Sequence, residues 1–183
     1  MRFLAGFIMA FVVLAIAAAV AVVTGVYNVA ATVPHTAPEE LILNSVMRYS
    51  VKAHAGEEAR ETWNEDQVRE GFRQYDEMCI ICHGAPGKEQ TDISKGLRPN
   101  PPNLAEREKR WNSAELFWII KNGIKMTGMP AFGPTHPDEV IWNIVGFIRR
   151  LPCISAEQFA TMEKQFGRPA GQQGQRQQQG HHQ

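Results

Sequence analysis

The chain has 183 residues, which is enough for one small domain with appended segments. Its 19 basic and 19 acidic side chains give a formal net charge of zero, so we do not expect a nucleic-acid partner. Three cysteines are too few for the disulfide framework of a small secreted scaffold.

The N-terminal segment is strongly apolar. No charged residue occurs from Phe3 to Val33, and residues 3–23 are apolar throughout apart from Gly6. A membrane-spanning helix needs about 20 apolar residues, whereas the apolar part of a signal peptide usually has about 7–15. We therefore expect residues 1–31 to form a transmembrane anchor. A secretion signal cleaved near Ala30-Ala31 is the alternative.

The positive charges around this segment indicate its orientation. Arg2 lies before it, and the next positive charge along the chain is Arg48. This asymmetry favours an N-terminus inside the cell. Both the anchored and the cleaved alternative place the rest of the chain on the outer, periplasmic side of the cytoplasmic membrane.

Residues 32–63 are predicted to be a juxtamembrane linker and helix. After a polar stretch that contains proline, the pattern predicts a helix from Glu39 to about Ala55, which Gly56 ends. Its apolar side chains favour a helix that covers the core of the following domain, with contact to a partner as the alternative. These side chains are Leu41, Ile42, Val46, Tyr49 and Val51.

Residues 64–166 carry further helix signals and no pattern typical of a strand, so an all-α fold is predicted. Capping boxes predict three helix starts, at Asn64 with Gln67, at Asn112 with Glu115 and at Ser155 with Gln158. The first of these helices runs to Gly84, the second to Gly123 and the last to about Phe166. A further helix is predicted from Thr135 or His136 to Pro152, and the proline-rich residues 85–110 are predicted to be an extended loop. Residues 153–166 are assigned to a C-terminal helical extension, and the Gln/Gly/His tail 167–183 to disorder.

The run Cys79-Ile80-Ile81-Cys82-His83 carries the chemistry of the chain. Two thiols at this spacing reach the two vinyl groups of one porphyrin, and the adjacent imidazole then reaches the iron from the same face. A thioredoxin-like pair would need a preceding strand and a following helix. A zinc site would need a second Cys or His pair, but only Cys153 remains. We expect one covalent haem c, held by Cys79 and Cys82, with His83 as an iron ligand.

A second iron ligand is expected from a downstream loop that contains two methionines, Met126 and Met129. Met129 is favoured, because Gly128 gives it room and Pro130 fixes the backbone that follows; Met126 is the alternative. An iron that the protein closes on both sides passes electrons but does not easily bind substrate. The pattern therefore predicts an electron carrier rather than an enzyme.

Four motifs occur together in residues 64–152: Gly71-x3-Tyr75-x3-Cys79, Ile144 with Phe147, Pro102-Asn103-Leu104, and Gly128-Met129-Pro130-Ala131-Phe132. They resemble those of class I cytochrome c, specifically its single-haem, membrane-anchored bacterial branch. The resemblance implies a helical cytochrome c fold around one haem, in which the glycine lets the first and last helices cross closely. It also implies electron transfer between redox protein partners.

The resemblance also implies roles for the proline loop. The Pro102 carbonyl would accept a hydrogen bond from Nδ1 of His83, with Pro99 and Pro101 as alternatives, and Leu104 would pack on the porphyrin. Two other functions stay open. One is a haem-bearing subunit of a larger membrane oxidoreductase complex, and the other is a haem protein whose labile distal ligand allows gas or peroxide to bind.

Overall fold

The computed structural model describes residues 2–57, 59–107 and 110–167. Within these ranges the regular structure is helical and no strand forms, which confirms the all-α class. The chain divides into two compact units, Met1–His35 and Thr36–Gln183. The predicted disordered tail lies outside the described residues apart from Gly167.

The α-helices are α1 Arg2–Val23, α2 Ala37–His54, α3 Glu65–Gln74, α4 Ile80–His83, α5 Asp92–Lys95, α6 Leu104–Arg107, α7 Ser113–Asn122, α8 Asp138–Arg150 and α9 Ala156–Phe166.

The first unit consists mainly of α1. The segment Phe3–Val23 is long and apolar enough to cross a membrane, and no part of it is buried within the protein. A signal sequence near an N-terminus has the same properties. The helix ends as Thr24 donates its hydroxyl to the carbonyl of Val20 at 2.7 Å.

In the second unit, α2 differs from the expectation that it covers a core. Its start is well defined, because the Glu39 carboxylate accepts from the backbone N–H of Thr36 at 2.7 Å. Its last turn packs on α7: Val51 is buried, and the His54 ring lies 5.9 Å from that of Trp118. The other apolar side chains point to solvent instead, so the core-covering interpretation is wrong for most of the helix. They are Leu41, Ile42, Val46 and Tyr49.

The crossing of α3 and α8 is the tightest helix contact described. A Cβ atom added to Gly71 would overlap the carbonyl oxygen of Asn143 and lie 3.0 Å from Cβ of Phe147. Ile144 and Phe147 are fully buried at this crossing, as expected from their resemblance to the crossing residues of class I cytochromes. A glycine is therefore required where the two backbones meet.

Aromatic rings fill the core beside the crossing. Phe72 and Phe147 pack edge to face with ring centres 5.5 Å apart, and Phe159 of α9 packs on Phe72 at the same distance. Phe159 is 1% exposed. The C-terminal extension is thus part of the same hydrophobic core as the helices before it.

A second aromatic contact joins α7 to α8. The rings of Phe117 and Trp142 stack with centres 4.3 Å apart. Trp63 donates its indole N–H to the Trp142 carbonyl at 2.9 Å, and a Cβ on Gly146 would lie 2.5 Å from the Trp63 ring. These contacts fix the segment before α3 against the last long helix.

The three predicted capping boxes are present, at Asn64, Asn112 and Ser155. Two other predictions need correction. The helix expected from Thr135 or His136 begins at Asp138, because residues 135 and 136 donate their N–H groups to the Phe132 carbonyl in a turn.

The segment 85–110 also contains more structure than predicted. Two short helices form in it: α5 lies between Pro86 and Pro99, and α6 follows Pro102. Thr91 caps the first, because its hydroxyl accepts from the N–H of Ser94 at 3.3 Å. Asn103 begins the second, as its side-chain oxygen accepts from the N–H of Ala105 at 3.1 Å. The prolines lie outside these helices and do not prevent them from forming.

Gly71→Ala tests the crossing. Helix propensity alone would favour alanine by about 1 kcal/mol, but the added Cβ must displace the Asn143 carbonyl. We expect a net loss of about 1–3 kcal/mol in unfolding free energy, measured by urea denaturation of the purified protein. Gly56→Ala, where a Cβ meets nothing within 4 Å, is the control. A Gly71 variant as stable as the wild type would contradict the close contact.

Candidate haem-binding site

The Cys79–His83 motif lies at the end of a helical run that is not uniform. After α3, residues Tyr75–Cys79 form a π-helical turn, α4 then carries the rest of the motif, and Gly84 ends it with φ at 66°. Such turns are often found at functional sites. Cys79 is buried, Cys82 is half-buried, and neither is in a disulfide. Both sulfur atoms are therefore available for covalent attachment.

The carbonyl groups at the end of α4 are satisfied by side chains from the following segment. The last carbonyls of a helix have no partner within it. Thr91 donates its hydroxyl to the Ile81 carbonyl at 2.7 Å, and Ser94 donates its hydroxyl to the Cys82 carbonyl at 2.6 Å. The first turn of α5 therefore holds the backbone of the motif.

Tyr75 supports the same helix end from the core side. It is fully buried, its ring lies 5.2 Å from that of Phe147, and its hydroxyl donates to the Gly84 carbonyl at 2.7 Å. Burial raises the pKa of Tyr75 far above its usual range. The phenol thus stays neutral and keeps the proton that it donates.

His83 makes the hydrogen bond expected of an iron-binding imidazole. Its Nδ1 lies 2.8 Å from the Pro102 carbonyl oxygen. A carbonyl oxygen only accepts, so Nδ1 carries the proton and Nε2 of the neutral ring keeps its lone pair. Burial lowers the pKa of His83, which favours the neutral form, although the bond to Pro102 partly opposes this. Of the prolines considered, Pro101 instead accepts from the Gln90 amide, at 2.6 Å.

The two methionines of the downstream loop differ in position. Met129 is partly buried against the core that includes Cys79, whereas Met126 is 89% exposed. Thr127 shapes the turn between them: its hydroxyl donates to the Ile124 carbonyl at 2.8 Å and accepts from the Met129 N–H at 3.1 Å. This geometry favours Met129, because a thioether that points to solvent is not directed at a porphyrin.

Predicted site residues from three parts of the chain contact the same hydrophobic core. Leu104 and Met129 both pack against the core cluster that contains Cys79. The loop of Met129 also meets the end of the α5 segment, since a Cβ on Gly128 would lie 2.7 Å from Cδ1 of Leu97. The Trp118 ring faces His54 of α2.

The competing interpretations of the cysteine pair fit the geometry less well. Reactive thiols have a lowered pKa, often at a helix N-terminus. Here the pair ends a helix, and burial, with a smaller contribution from Cys82, raises the pKa of Cys79 to about 12. Among the described residues, no group of three or more His, Cys, Asp or Glu side chains is arranged to hold a metal ion. A zinc site would need four such ligands.

Residues 66–148 match the family model described as cytochrome C oxidase, cbb3-type, subunit III. The match supports a class I, single-haem cytochrome c domain in this part of the chain. The match spans less than half of the 183 residues. It agrees with the resemblance found in the motifs, and it supports a c-type cytochrome that acts in electron transfer.

The cytochrome is also similar to the c-type cytochrome XoxG from Methylobacterium extorquens AM1, whose crystal structure is known. The two chains share 20% sequence identity, with a TM-score of 0.38. The similarity covers 64% of this chain and 89% of XoxG.

Three residues around the motif of this cytochrome were missed by sequence reasoning: Gln90, Thr91 and Ser94. Polar residues in a proline-rich stretch carry no periodic signal, and their partners are backbone carbonyls elsewhere in the chain. The one usable signal was Thr91 three residues before Ser94, a spacing typical of a helix start.

Proposed function

We propose that this cytochrome is a membrane-anchored monohaem electron carrier on the outer face of the cytoplasmic membrane. It would pass single electrons between redox protein partners and catalyse no reaction alone. The hydrogen bond from His83 to Pro102, on a helix end with two free cysteines, is the observation that carries the proposal. In that arrangement the imidazole is neutral, and the lone pair of Nε2 is free to bind a metal ion.

Each proposed contact to the haem is assigned to a residue whose surroundings suit that contact. Cys79 and Cys82 would hold the porphyrin through thioether bonds, and His83 and Met129 would supply the iron ligands. Bound haem iron supplies a one-electron couple whose potential depends on these axial ligands. Pro102 would hold the proton on Nδ1 of His83, and Leu104 would supply an apolar contact to the porphyrin.

Carrier function follows from the proposed ligand pair. If His83 and Met129 both bind the iron, the protein would leave no open position for oxygen, peroxide or another small molecule. Thr127 supports this closure, because it holds the backbone N–H of Met129 in place. The protein therefore reacts with its partners by electron transfer rather than by ligand exchange.

The apolar α1 supports the proposed location. Its length and composition suit a single membrane span. Arg2 on its N-terminal side, with Arg48 as the next positive charge, supports a location of the rest of the chain on the outer side of the membrane.

A second candidate function is that of a haem-bearing subunit in a larger membrane oxidoreductase. Two observations favour it. The matching family is described as a subunit of a cbb3-type oxidase. In addition, α2 exposes the apolar side chains of Leu41, Ile42, Val46 and Tyr49, which another subunit would cover.

Haem attachment is tested by the intact mass of the protein purified from membranes. We expect a mass that includes one haem and residues 1–31, and a pyridine haemochrome spectrum typical of haem c. Cys79→Ala and Cys82→Ala should each lose one thioether bond, whereas Cys153→Ala, at an exposed thiol, should keep the wild-type spectrum. A colourless wild-type protein would refute the proposal, and a mass without the apolar segment would show that it is a cleaved signal.

Met129→Ala tests the second ligand. We expect the long-wavelength band of methionine-ligated ferric haem to disappear, and the midpoint potential to fall by on the order of 100 mV. Met126→Ala is the matched control and should change neither, because that side chain is exposed. A wild-type protein whose reduced form binds carbon monoxide rapidly would favour the labile-ligand alternative.

Replacing the exposed apolar side chains of α2 separates the carrier from the complex subunit. Membranes are solubilised in mild detergent, and the size of the haem-stained species is measured on native gels. A free carrier migrates alone. A complex subunit migrates in a larger assembly, and the double variant Ile42→Ser, Val46→Ser should release it with its haem content unchanged. Asn44→Ser, on the same helix, is the control.

A further inference from the structure

Three hydrogen bonds of the segment 90–102 bear on the position of the His83 ring. The His83 ring donates to the Pro102 carbonyl at 2.8 Å. Ser94 donates its hydroxyl to the Cys82 carbonyl at 2.6 Å, and Gln90 donates its amide to the Pro101 carbonyl at 2.6 Å. The first of these bonds belongs to the imidazole itself, whereas the other two act on the backbone units next to it.

We propose that Ser94 and Gln90 are positioning residues that set the orientation of the iron ligand His83, an inference that rests on the proposed function. Ser94 fixes the backbone from which the imidazole projects. Gln90 fixes the backbone that carries the acceptor of the imidazole proton. The two residues therefore hold opposite ends of the same hydrogen bond.

The case for Ser94 begins with its burial. The residue is fully buried, and its hydroxyl reaches a carbonyl that would otherwise lack a partner at the end of α4. That carbonyl belongs to the peptide unit that joins Cys82 to His83. Rotation of this unit turns the Cα–Cβ bond of His83, so the hydroxyl limits the angles that the ring can adopt.

Thr91 ties Ser94 to the same helix end. The Thr91 hydroxyl accepts from the Ser94 N–H at 3.3 Å and donates to the Ile81 carbonyl at 2.7 Å. Two successive carbonyls of the haem motif are thus held by one turn of α5. A shift of Ser94 away from Cys82 would have to break the contacts of Thr91 as well.

The case for Gln90 depends on the chemistry of its acceptor. Pro101 and Pro102 have no N–H groups, so this part of the loop lacks backbone donors with which to hold itself in place. The Gln90 amide supplies a donor from outside and fixes the Pro101 carbonyl. Because the Pro102 ring restricts φ between the two carbonyls, fixing the Pro101 carbonyl also limits the positions of the Pro102 carbonyl, which accepts from His83.

These two supports bear on the iron through the imidazole. A weaker bond to the Pro102 carbonyl makes the ring a poorer donor to ferric iron, which raises the midpoint potential. A rotated ring changes the electron distribution around the porphyrin. Both effects are measurable without a redox partner, in the midpoint potential and in the paramagnetic proton spectrum of the haem methyl groups.

The test uses the haem-loaded full chain with Gln90→Met and Ser94→Ala. Methionine keeps the length of Gln90 and removes its donor, so we expect a higher midpoint potential. Ser94→Ala removes only the hydroxyl, and we expect the pattern of haem-methyl shifts to change. Thr161→Ala is the matched control: it removes a hydroxyl that donates to a backbone carbonyl at 2.8 Å within α9, and it should change neither measurement.

The outcomes separate this inference from the proposed function. Variants that are less stable but keep the wild-type potential and methyl shifts would show that both residues are merely structural, and would overturn the inference. If Ser94→Ala does not retain haem, Gln90→Met at its half-buried position decides the matter alone. A wild-type protein without covalent haem would contradict the proposed function and, with it, the inference.

Discussion

The contact of Gly71 with the Asn143 carbonyl is the constraint on which the rest of the domain depends. It brings α3 and α8 to backbone distance, so that Phe72 and Phe147 meet edge to face beside it. The helical run that begins with α3 continues into the haem motif. The place where the two helices cross therefore determines where the cysteines and the imidazole lie relative to the core.

The haem motif is held in place by two sets of contacts, one on each side. Within the core, Tyr75 packs on Phe147 and donates to the Gly84 carbonyl. On the outer side, Thr91 and Ser94 hold the last carbonyls of α4. The end of a helix is ordinarily its most mobile part. Here it is held from both sides, which suits the proposed role as an electron carrier, because ligands that move little require little reorganisation on each transfer.

Features that depend on neighbouring residues could be predicted from the sequence. The capping boxes at Asn64, Asn112 and Ser155 follow from spacings of three residues, and all are present. The haem-binding role of the cysteine–histidine motif is also predicted from local spacing, which fits the size of a porphyrin, and it stays a prediction. The family resemblance added the crossing of Gly71 with α8, which no local pattern contains.

Features that depend on distant partners were missed. The bonds made by Gln90 and Ser94 join residues of the loop to carbonyls that bear no mark in the sequence. The exposure of Val46 and Tyr49 was missed for a related reason, because a helical pattern shows which residues share a face but not whether anything covers it. Two short helices within the proline-rich segment were also missed, since prolines limit where a helix begins and ends more than whether one forms.

The burial of Phe159 has a consequence for how the domain is delimited. The family match ends at residue 148, yet this ring from α9 packs on both Phe72 and Phe147. A recombinant fragment that ends at residue 148 would expose the rings of Phe72 and Phe147 to water. Such a fragment would tend to aggregate or to bind its cofactor poorly. The hydrophobic core thus extends beyond the segment that matches the family, and α9 covers its aromatic rings.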